Sequence, residues 1–258
     1  MVEAFYEALG GGWYRSTALT RGPWDEGAQH AGPPSALLGS ALETALGGPL
    51  ARVTFEILKP VPIAELHVTT TVVRGGRSVR LAEGVLADGD GPVMLARAWT
   101  IRRADVALPA ELLDPPDTIA PPHEAATKSF FPVPWDEGYH TAMDFRFVSG
   151  GFTEPGPARI WMRPRQPLVA GTELTPLQRV LCAADSGNGV SARFESLDWV
   201  FINTDLTVHL VRYPAGAWVS LDARTTLEPD GVGLARSVLR DEAGVIGHAL
   251  QSLFIARG

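Results

Sequence analysis

Hydrophobic and polar positions alternate in long runs along this chain, and twice the spacing changes to that of a helix. Arg52-Val-Thr-Phe-Glu-Ile-Leu-Lys-Pro-Val-Pro-Ile-Ala-Glu-Leu-His-Val-Thr-Thr reads as a strand with a basic residue near its end, a proline turn and a second strand. Asp205-Leu-Thr-Val-His-Leu-Val-Arg-Tyr-Pro-Ala-Gly-Ala-Trp-Val-Ser-Leu-Asp-Ala has the same order, with Lys59 and Arg212 lying 153 positions apart. Two more strands follow in each place: Val79 to Ala87 and Val93 to Arg103, then Gly231 to Arg240 and Val245 to Arg257. Gly91 and Gly244, in the turns between them, keep the offset of 153. A shared offset across four strands marks an internal duplication, the feature to be sought before any other.

One helix precedes each copy. His30-Ala-Gly-Pro-Pro-Ser-Ala-Leu-Leu-Gly-Ser-Ala-Leu-Glu-Thr-Ala-Leu runs to Gly47-Gly48, with prolines where first-turn N–H groups lack partners and glycine at the stop. Leu37, Leu38, Ala41, Leu42, Ala45 and Leu46 cover most of its circumference, so it is expected to be buried on most sides. The second helix opens at Thr175-Pro176, a cap and a first helical residue, and is expected to stop at Ser186-Gly-Asn-Gly. Strands come before both helices, including Trp13 to Leu19 in the first half and Tyr139 to Val148 and Arg159 to Arg163 in the second. Between the halves, prolines at 109, 115, 116, 121, 122, 132 and 134 forbid helix and central strand, so this stretch is a linker or wrapping segment. The expected division is a first unit over 1–108, a proline-rich linker over 109–134 and a second unit over 135–258. A buried helix wrapped by an antiparallel sheet, made twice, is an α+β fold.

Composition narrows the function classes. The 258 residues, 45% hydrophobic and 20% charged, exclude wholesale disorder, and the length suits one large domain or two of about 130 residues. Lys and Arg number 22 against 29 Asp and Glu, a net charge of −7, with no basic run to bind nucleic acid or an anionic membrane. The single Cys182 excludes an internal disulfide framework and a cysteine-rich metal cluster. The six histidines show no metal-ligand spacing, and neither a G-x-S-x-G elbow nor a phosphate-binding P-loop is present. The first residues do not read as a signal peptide, and no run approaches the roughly 18 apolar residues of a membrane span, so a cytoplasmic location is expected.

The order of elements resembles the hotdog fold, and two copies in one chain resemble the double-hotdog thioesterases of the acyl-CoA thioesterase II-like family. The segments that carry the resemblance are His30-Ala-Gly-Pro-Pro-Ser-Ala-Leu-Leu, Phe55-Glu-Ile-Leu-Lys-Pro-Val-Pro, Ala184-Asp-Ser-Gly-Asn, Phe201-Ile-Asn-Thr-Asp-Leu-Thr-Val-His-Leu and Ala249-Leu-Gln-Ser. It implies hydrolysis of acyl-CoA thioesters without a metal or organic cofactor. It places a catalytic trio on Asp185, Asn203 and Gln251. The family's Thr is here Asn203, which still supplies a donor and an acceptor. His30 and Gly32, at the start of the first helix, are the candidate substrate-binding residues, with a capping or surface histidine as the competing reading. A homo-oligomer is expected, because hotdog sheets have edges and faces to cover.

The residues can be read physically as well. Asp185 follows Leu177 and Leu181 on one helix face and sits near the helix C-terminus, where both burial and the helix dipole disfavour its charge, as suits a general base. The alternative is that it caps the following turn. Gln251 shares strand parity with Ala249, Leu253 and Ile255, and its repeat counterpart is the small apolar Ala98. A buried amide must be hydrogen-bonded, either in a site or to nearby backbone. Asn203 at a strand start is open to turn chemistry alone. Glu43, opposite Asp185 when the helix starts are aligned, is a second candidate base. Competing functions on the same scaffold are a non-catalytic acyl-CoA-binding protein and an enoyl-CoA hydratase, although Asp185-Ser-Gly-Asn-Gly lacks the proline and histidine of the hydratase pattern.

Overall fold

The computed structural model describes residues 3–194 and 198–257, so positions 1, 2, 195–197 and 258 of the expected units lie outside the described residues. Strands β1 (Tyr6–Gly10) and β2 (Trp13–Ser16) form a hairpin before helix α1 (Gly32–Leu46). Strands β3 (Leu50–Ile57), β4 (Glu65–Arg74), β5 (Val79–Asp88) and β6 (Gly91–Ile101) follow. Then come the helical turn α2 (Tyr139–Ala142), β7 (Met143–Gly151), β8 (Glu154–Pro164), helix α3 (Pro176–Ala184) and the turn α4 (Gly187–Val190). The chain ends with β9 (Trp199–Asn203), β10 (Asp205–Leu210), β11 (Val219–Leu227), β12 (Val232–Asp241) and β13 (Gly244–Arg257).

The described strands form one antiparallel sheet in the order β1-β2-β4-β5-β6-β3-β10-β13-β12-β11-β8-β7, with β9 added beside β13. Read from either end, each strand meets its own counterpart: β3 and β10, β6 and β13, β5 and β12, β4 and β11. The midpoint is the β3–β10 pair, where Thr207 lies opposite Thr54, the residue 153 positions before it. Their hydroxyls meet at 3.1 Å. The two-fold relation of the duplicated sheet therefore passes between them.

Turn chemistry is duplicated too. Lys59 pairs with Asp88 at 3.0 Å and Arg212 with Asp241 at 2.5 Å, both partners shifted by 153. Asp88 Oδ1 accepts the Asp90 N–H and Asp241 Oδ1 accepts the Ala243 N–H, as short polar side chains do in tight turns. Burial works against the charge of Asp241, but Arg212 and the N–H groups of Ala215 and Ala243 outweigh it and hold the carboxyl below its usual range.

Helix α1 packs against β3, β4, β5, β6 and α3, with Ala36, Leu38 and Leu42 fully buried, while Thr44 and Ala45 in its last turn are exposed. It stops at Gly47, whose φ of 67° is left-handed and whose N–H returns to Glu43 and Thr44 carbonyls. Helix α3 opens on a reciprocal cap: Thr175 Oγ1 accepts the Gln178 N–H and Gln178 Oε1 accepts the Thr175 N–H. Three local expectations are corrected. The strand expected over Trp13 to Leu19 ends at Ser16, because Thr17 caps a 3-10 turn over Ala18–Thr20. Ser186-Gly-Asn-Gly does not simply stop the second helix but includes the start of the further turn α4. Gln251 accepts the Asn188 N–H and Ser191 Oγ donates to the Gly187 carbonyl, so tertiary and side-chain partners hold the glycines helical. Tyr139 opens a helical turn rather than a strand, because Thr141 Oγ1 bonds both the N–H and the carbonyl of Gly138.

The proline-rich segment holds a 3-10 turn at Ala110–Leu112 and a β-bridge from Ala126 to Phe147, and wraps over the second half of the sheet. Trp161 Nε1 donates to the Ala120 carbonyl, and the buried Arg240 reaches Asp117. Among the described residues no helix is long and apolar enough to cross a membrane.

Candidate functional site

Helix α3 carries Leu177, Val180 and Leu181 into the core, and Asp185 caps the end of the same stripe. The carboxylate is thereby taken inward, leaving the residue 5% exposed. Strand β9 pairs with β13 so that Asn203 lies opposite Leu253. Directly opposed residues share a face, as do residues two apart on one strand, so Asn203 and Gln251 reach toward the helix end together.

The three sequence-predicted residues meet. Asn203 Nδ2 donates to Asp185 Oδ1 at 2.8 Å, and Gln251 Nε2 donates to the same oxygen at 3.1 Å. Gln251 Nε2 also lies 3.0 Å from the Asp185 carbonyl, one of those a helix end leaves unpaired. Gln251 Oε1 accepts the Asn188 N–H at 3.0 Å, which fixes the amide's orientation. Gln251 and Asn203 each bond backbone, Asn203 through the Asp205 carbonyl, and each also donates to the carboxylate. An amide so close needs Gly187 beneath it, where a Cβ would lie 2.8 Å from both Gln251 Oε1 and Ser237 Oγ.

The other carboxylate oxygen faces the start of α1. His30 Nδ1 is 3.3 Å from Asp185 Oδ2 and accepts the Gly32 N–H at 3.0 Å. Burial pushes His30 below its ordinary value, with Asp185 acting the other way, so at neutral pH the ring is uncharged. Its Nδ1 then carries a lone pair, as the Gly32 contact requires. The ring stacks on Tyr139 with centroids 3.7 Å apart, and Tyr139 Oη donates to the Cys182 carbonyl at 2.7 Å. Ser186 Oγ lies within 3.0 Å of Tyr139 Oη and 3.5 Å of His30 Nε2. Pro33 and Pro34 have no N–H, so Gly32 is the only backbone donor of residues 32–34. A side chain at position 32 would strike the Cys182 carbonyl, which keeps the two helix ends in contact.

His30 is part-buried between Tyr139 and Asp185 rather than at the surface, and its Nδ1 caps the first N–H of α1 as the competing reading expects. Glu43 is not part of this constellation. It takes the Tyr213 hydroxyl at 2.6 Å, and the repeat positions of Asn203 and Gln251 hold Leu50 and Ala98 there. Cys182 is fully buried and burial pushes its thiol up, as for a core filler. Among the described residues no group of three or more His, Cys, Asp or Glu side chains could hold a metal ion.

Sequence reasoning missed Tyr139 and Ser186, which brace His30, and a nearby aromatic patch. Trp24, 52% exposed, packs on Phe201 at 4.8 Å and on Phe131 at 5.8 Å. Phe201 is two residues from Asn203 on β9. Trp-Asp-Glu-Gly occurs at both Trp24 and Trp135, and its offset of 111 makes it read as coincidence beside the repeat of 153. Arg21 gathers the two, its guanidinium donating to the Glu26 carbonyl at 3.0 Å and to the Glu137 carbonyl at 3.3 Å.

Comparison with known proteins follows the same outline. The family model described as the acyl-CoA thioesterase C-terminal domain matches residues 116–255, and that described as the acyl-CoA thioesterase N-terminal domain matches 20–101. Among solved structures, a candidate thioesterase II from Thermobifida fusca YX superposes with a TM-score of 0.78 at 16% identity, covering 98% of this chain and 95% of its own. A candidate thioesterase from Novosphingobium aromaticivorans DSM 12444 gives 0.74 at 18% identity, with 97% and 98% covered. A hotdog-fold protein of unknown function from Alicyclobacillus acidocaldarius gives 0.73 at 15%, with 97% and 96% covered. At such identities the likeness concerns the fold. A search of curated proteins finds no match.

Proposed function

The chain belongs to the acyl-CoA thioesterase family, and we propose that it hydrolyses acyl-CoA thioesters with a water activated by Asp185. The observation that carries this reading is the division of labour within one buried carboxylate. Oδ1 is taken by the amides of Asn203 and Gln251, while Oδ2 remains for a proton. A base held by fixed donors need not reorganise during the reaction.

The steps balance as follows. Asp185 Oδ2 takes a proton from water as the water oxygen attacks the acyl carbon. The carbonyl oxygen becomes an oxyanion, the C–S bond then breaks, and the departing thiolate receives the proton. The products are the free acid and CoA. His30 has a place in this proton path, 3.3 Å from Oδ2. When that proton passes on from Oδ2 to Nδ1, the ring donates to Asp185 and no longer accepts from Gly32, and the proton returns through Oδ2 to the thiolate as the C–S bond breaks. The Gly32 N–H is then released toward the oxyanion at the moment it forms, and such a donor is worth most there. The acyl group would enter beside Trp24 and lie along Phe201 and Phe131.

On the same reading the chain is a double hotdog. Each half, 1–108 and 135–258, is a helix wrapped by its part of the sheet, the 109–134 segment joins them, and the second half bears the trio. Copies of the chain would associate through remaining sheet faces as a homo-oligomer.

A panel of acyl-CoA substrates with detection of free thiol tests the activity. Thiol release from at least one substrate is expected. Binding of acyl-CoA with no release from any member would make the protein a carrier instead. A single turnover in oxygen-18 water then separates general base from nucleophile: label is expected in the acid product, and label in Asp185 would mean direct attack by the carboxylate.

A further inference from the structure

The C-terminal end of α1 opens on a cleft that the function above does not use. It has a volume of about 220 Å³ and is lined by residues 46–49 together with Arg77, Ser78, Arg80 and residues 100–103. Two of the latter are Arg102 and Arg103, so four exposed guanidinium groups border one small space. The volume is on the order of seven water molecules, room for a phosphoryl group and part of what it is attached to.

Local structure explains why the space is there. In the second copy, 20 residues separate α3 from β10, and they include β9, which pairs with Leu253–Arg257 of β13. In the first copy only Gly47, Gly48 and Pro49 separate α1 from β3. Beside β6, strand β3 reaches only as far as Leu50 opposite Thr100, and the cleft lies beyond that point.

The charge is specific to this copy as well. At the offset of 153, Arg77, Arg80, Arg102 and Arg103 correspond to Asp230, Gly233, Ile255 and Ala256. The register supports the equivalence, since Val79 opposes Ile101 just as Val232 opposes Phe254. The fold therefore does not require basic residues at these positions. Among the described residues none of the four arginines forms a salt bridge with a carboxylate, although the chain carries a net charge of −7. Arg80 donates to the Leu46 and Gly76 carbonyls, and Arg103 to the Val211 carbonyl, so backbone fixes two of the groups in place. The Arg80 contact also covers a carbonyl at the negative end of α1, which would otherwise oppose an anion.

We propose that this cleft binds a phosphoryl anion, a small molecule bearing a phosphate monoester or a diphosphate. Guanidinium groups match phosphate oxygens with paired donors and stay charged at all working pH, and four of them suit a ligand of more than one negative charge. The site is separate from Asp185: His30 and Gly32 stand at one end of the 15-residue α1 and the cleft at the other, about 20 Å away at the helical rise. Its occupancy does not depend on the thioesterase reading.

Calorimetric titration of the full chain with inorganic pyrophosphate and with adenosine 3′,5′-bisphosphate, at low salt, tests it. At least one should bind saturably, weaken as salt rises, and lose affinity at least tenfold in Arg77→Ser/Arg102→Ser. The pair Arg97→Ser/Arg236→Ser removes the same charge outside the cleft and should retain binding. Preference for the bisphosphate would point to the nucleotide end of a CoA molecule as the source, and preference for pyrophosphate to another phosphorylated metabolite. The single variant Arg102→Gln, read in the same way, covers the case in which the double variant does not fold. No saturable binding of either probe, or equal loss in the cleft and control variants, overturns the proposal.

Discussion

Gln251 and Ala98 occupy equivalent places in two copies of one strand: each opposes an alanine, Ala235 and Ala82, in the neighbouring strand of its own copy. Only Gln251 has the functional group to reach a carboxylate, and it donates to Asp185 while accepting from Asn188. Replacing it as Gln251→Ala removes one of two donors on Oδ1 and leaves the Asn188 N–H without its partner. Turnover should fall on the order of a hundredfold, as when one preorganised donor is lost, with stability lower by about 1–3 kcal/mol. Steady-state kinetics beside urea unfolding read both, and unchanged turnover would remove Gln251 from the site.

Gly187→Ala tests the same contact from below. The added Cβ would stand 2.8 Å from Gln251 Oε1 and Ser237 Oγ, so both side chains must give way or the backbone must shift away from them. The expected cost is roughly 1–3 kcal/mol of stability. Because Gln251 is displaced, kcat should fall more than KM rises, whereas a purely structural defect would lower the active fraction alone.

The pH dependence of stability has a definite sign at His30. Burial pushes this ring below its ordinary value of 6.5, so the unfolded chain takes up the proton more readily than the folded one. Its contribution is fully present above about 6.5 and is lost as pH falls from there toward the lower folded value. His140 and His209, also pushed down by burial, act in the same direction. Urea unfolding at pH 7.5 and 5.5 should show wild type losing more stability than His30→Gln; equal losses would mean that His30 is not buried as a neutral ring.

The duplicated ion pairs should not be equal in worth. Asp241 is 2% exposed and accepts from Arg212 and from the Ala215 and Ala243 N–H groups. Asp241→Ala leaves these donors unpaired and should cost on the order of 3 kcal/mol, moderated because Arg212 is itself 35% exposed. Asp88→Ala should cost less, since its partner Lys59 is 40% exposed and is a single point charge. Thermal unfolding of the two variants compares them directly, and a larger loss at Asp88 would contradict this ranking.

Much of this was legible in the sequence because it rests on period and register. The offset of 153 carried the duplication and the contrast of Gln251 with Ala98, whereas the palindromic strand order and its Thr54–Thr207 midpoint came with the structure. The spacing of Leu177, Leu181 and Asp185 placed the carboxylate inward. What stayed hidden depends on partners far apart in the chain. Tyr139 braces His30 from a segment whose local pattern reads as strand, and only Thr141 bonding back to Gly138 turns it helical. The glycine-rich stretch after Asp185 reads as a stop, and its helical turn exists because β13 supplies Gln251. The arginine cleft appears only when the short α1–β3 connection is set against the β9-bearing one in three dimensions.

The central claim is that Asp185 activates the water. Asp185→Asn keeps the shape of the side chain and both amide neighbours while removing the basic oxygen. Hydrolysis of the best acyl-CoA substrate should fall at least a thousandfold, within the share of rate that a base together with its electrostatic setting can supply, with substrate binding and the unfolding midpoint retained. Turnover within tenfold of wild type, by a protein that is still folded, would contradict the account.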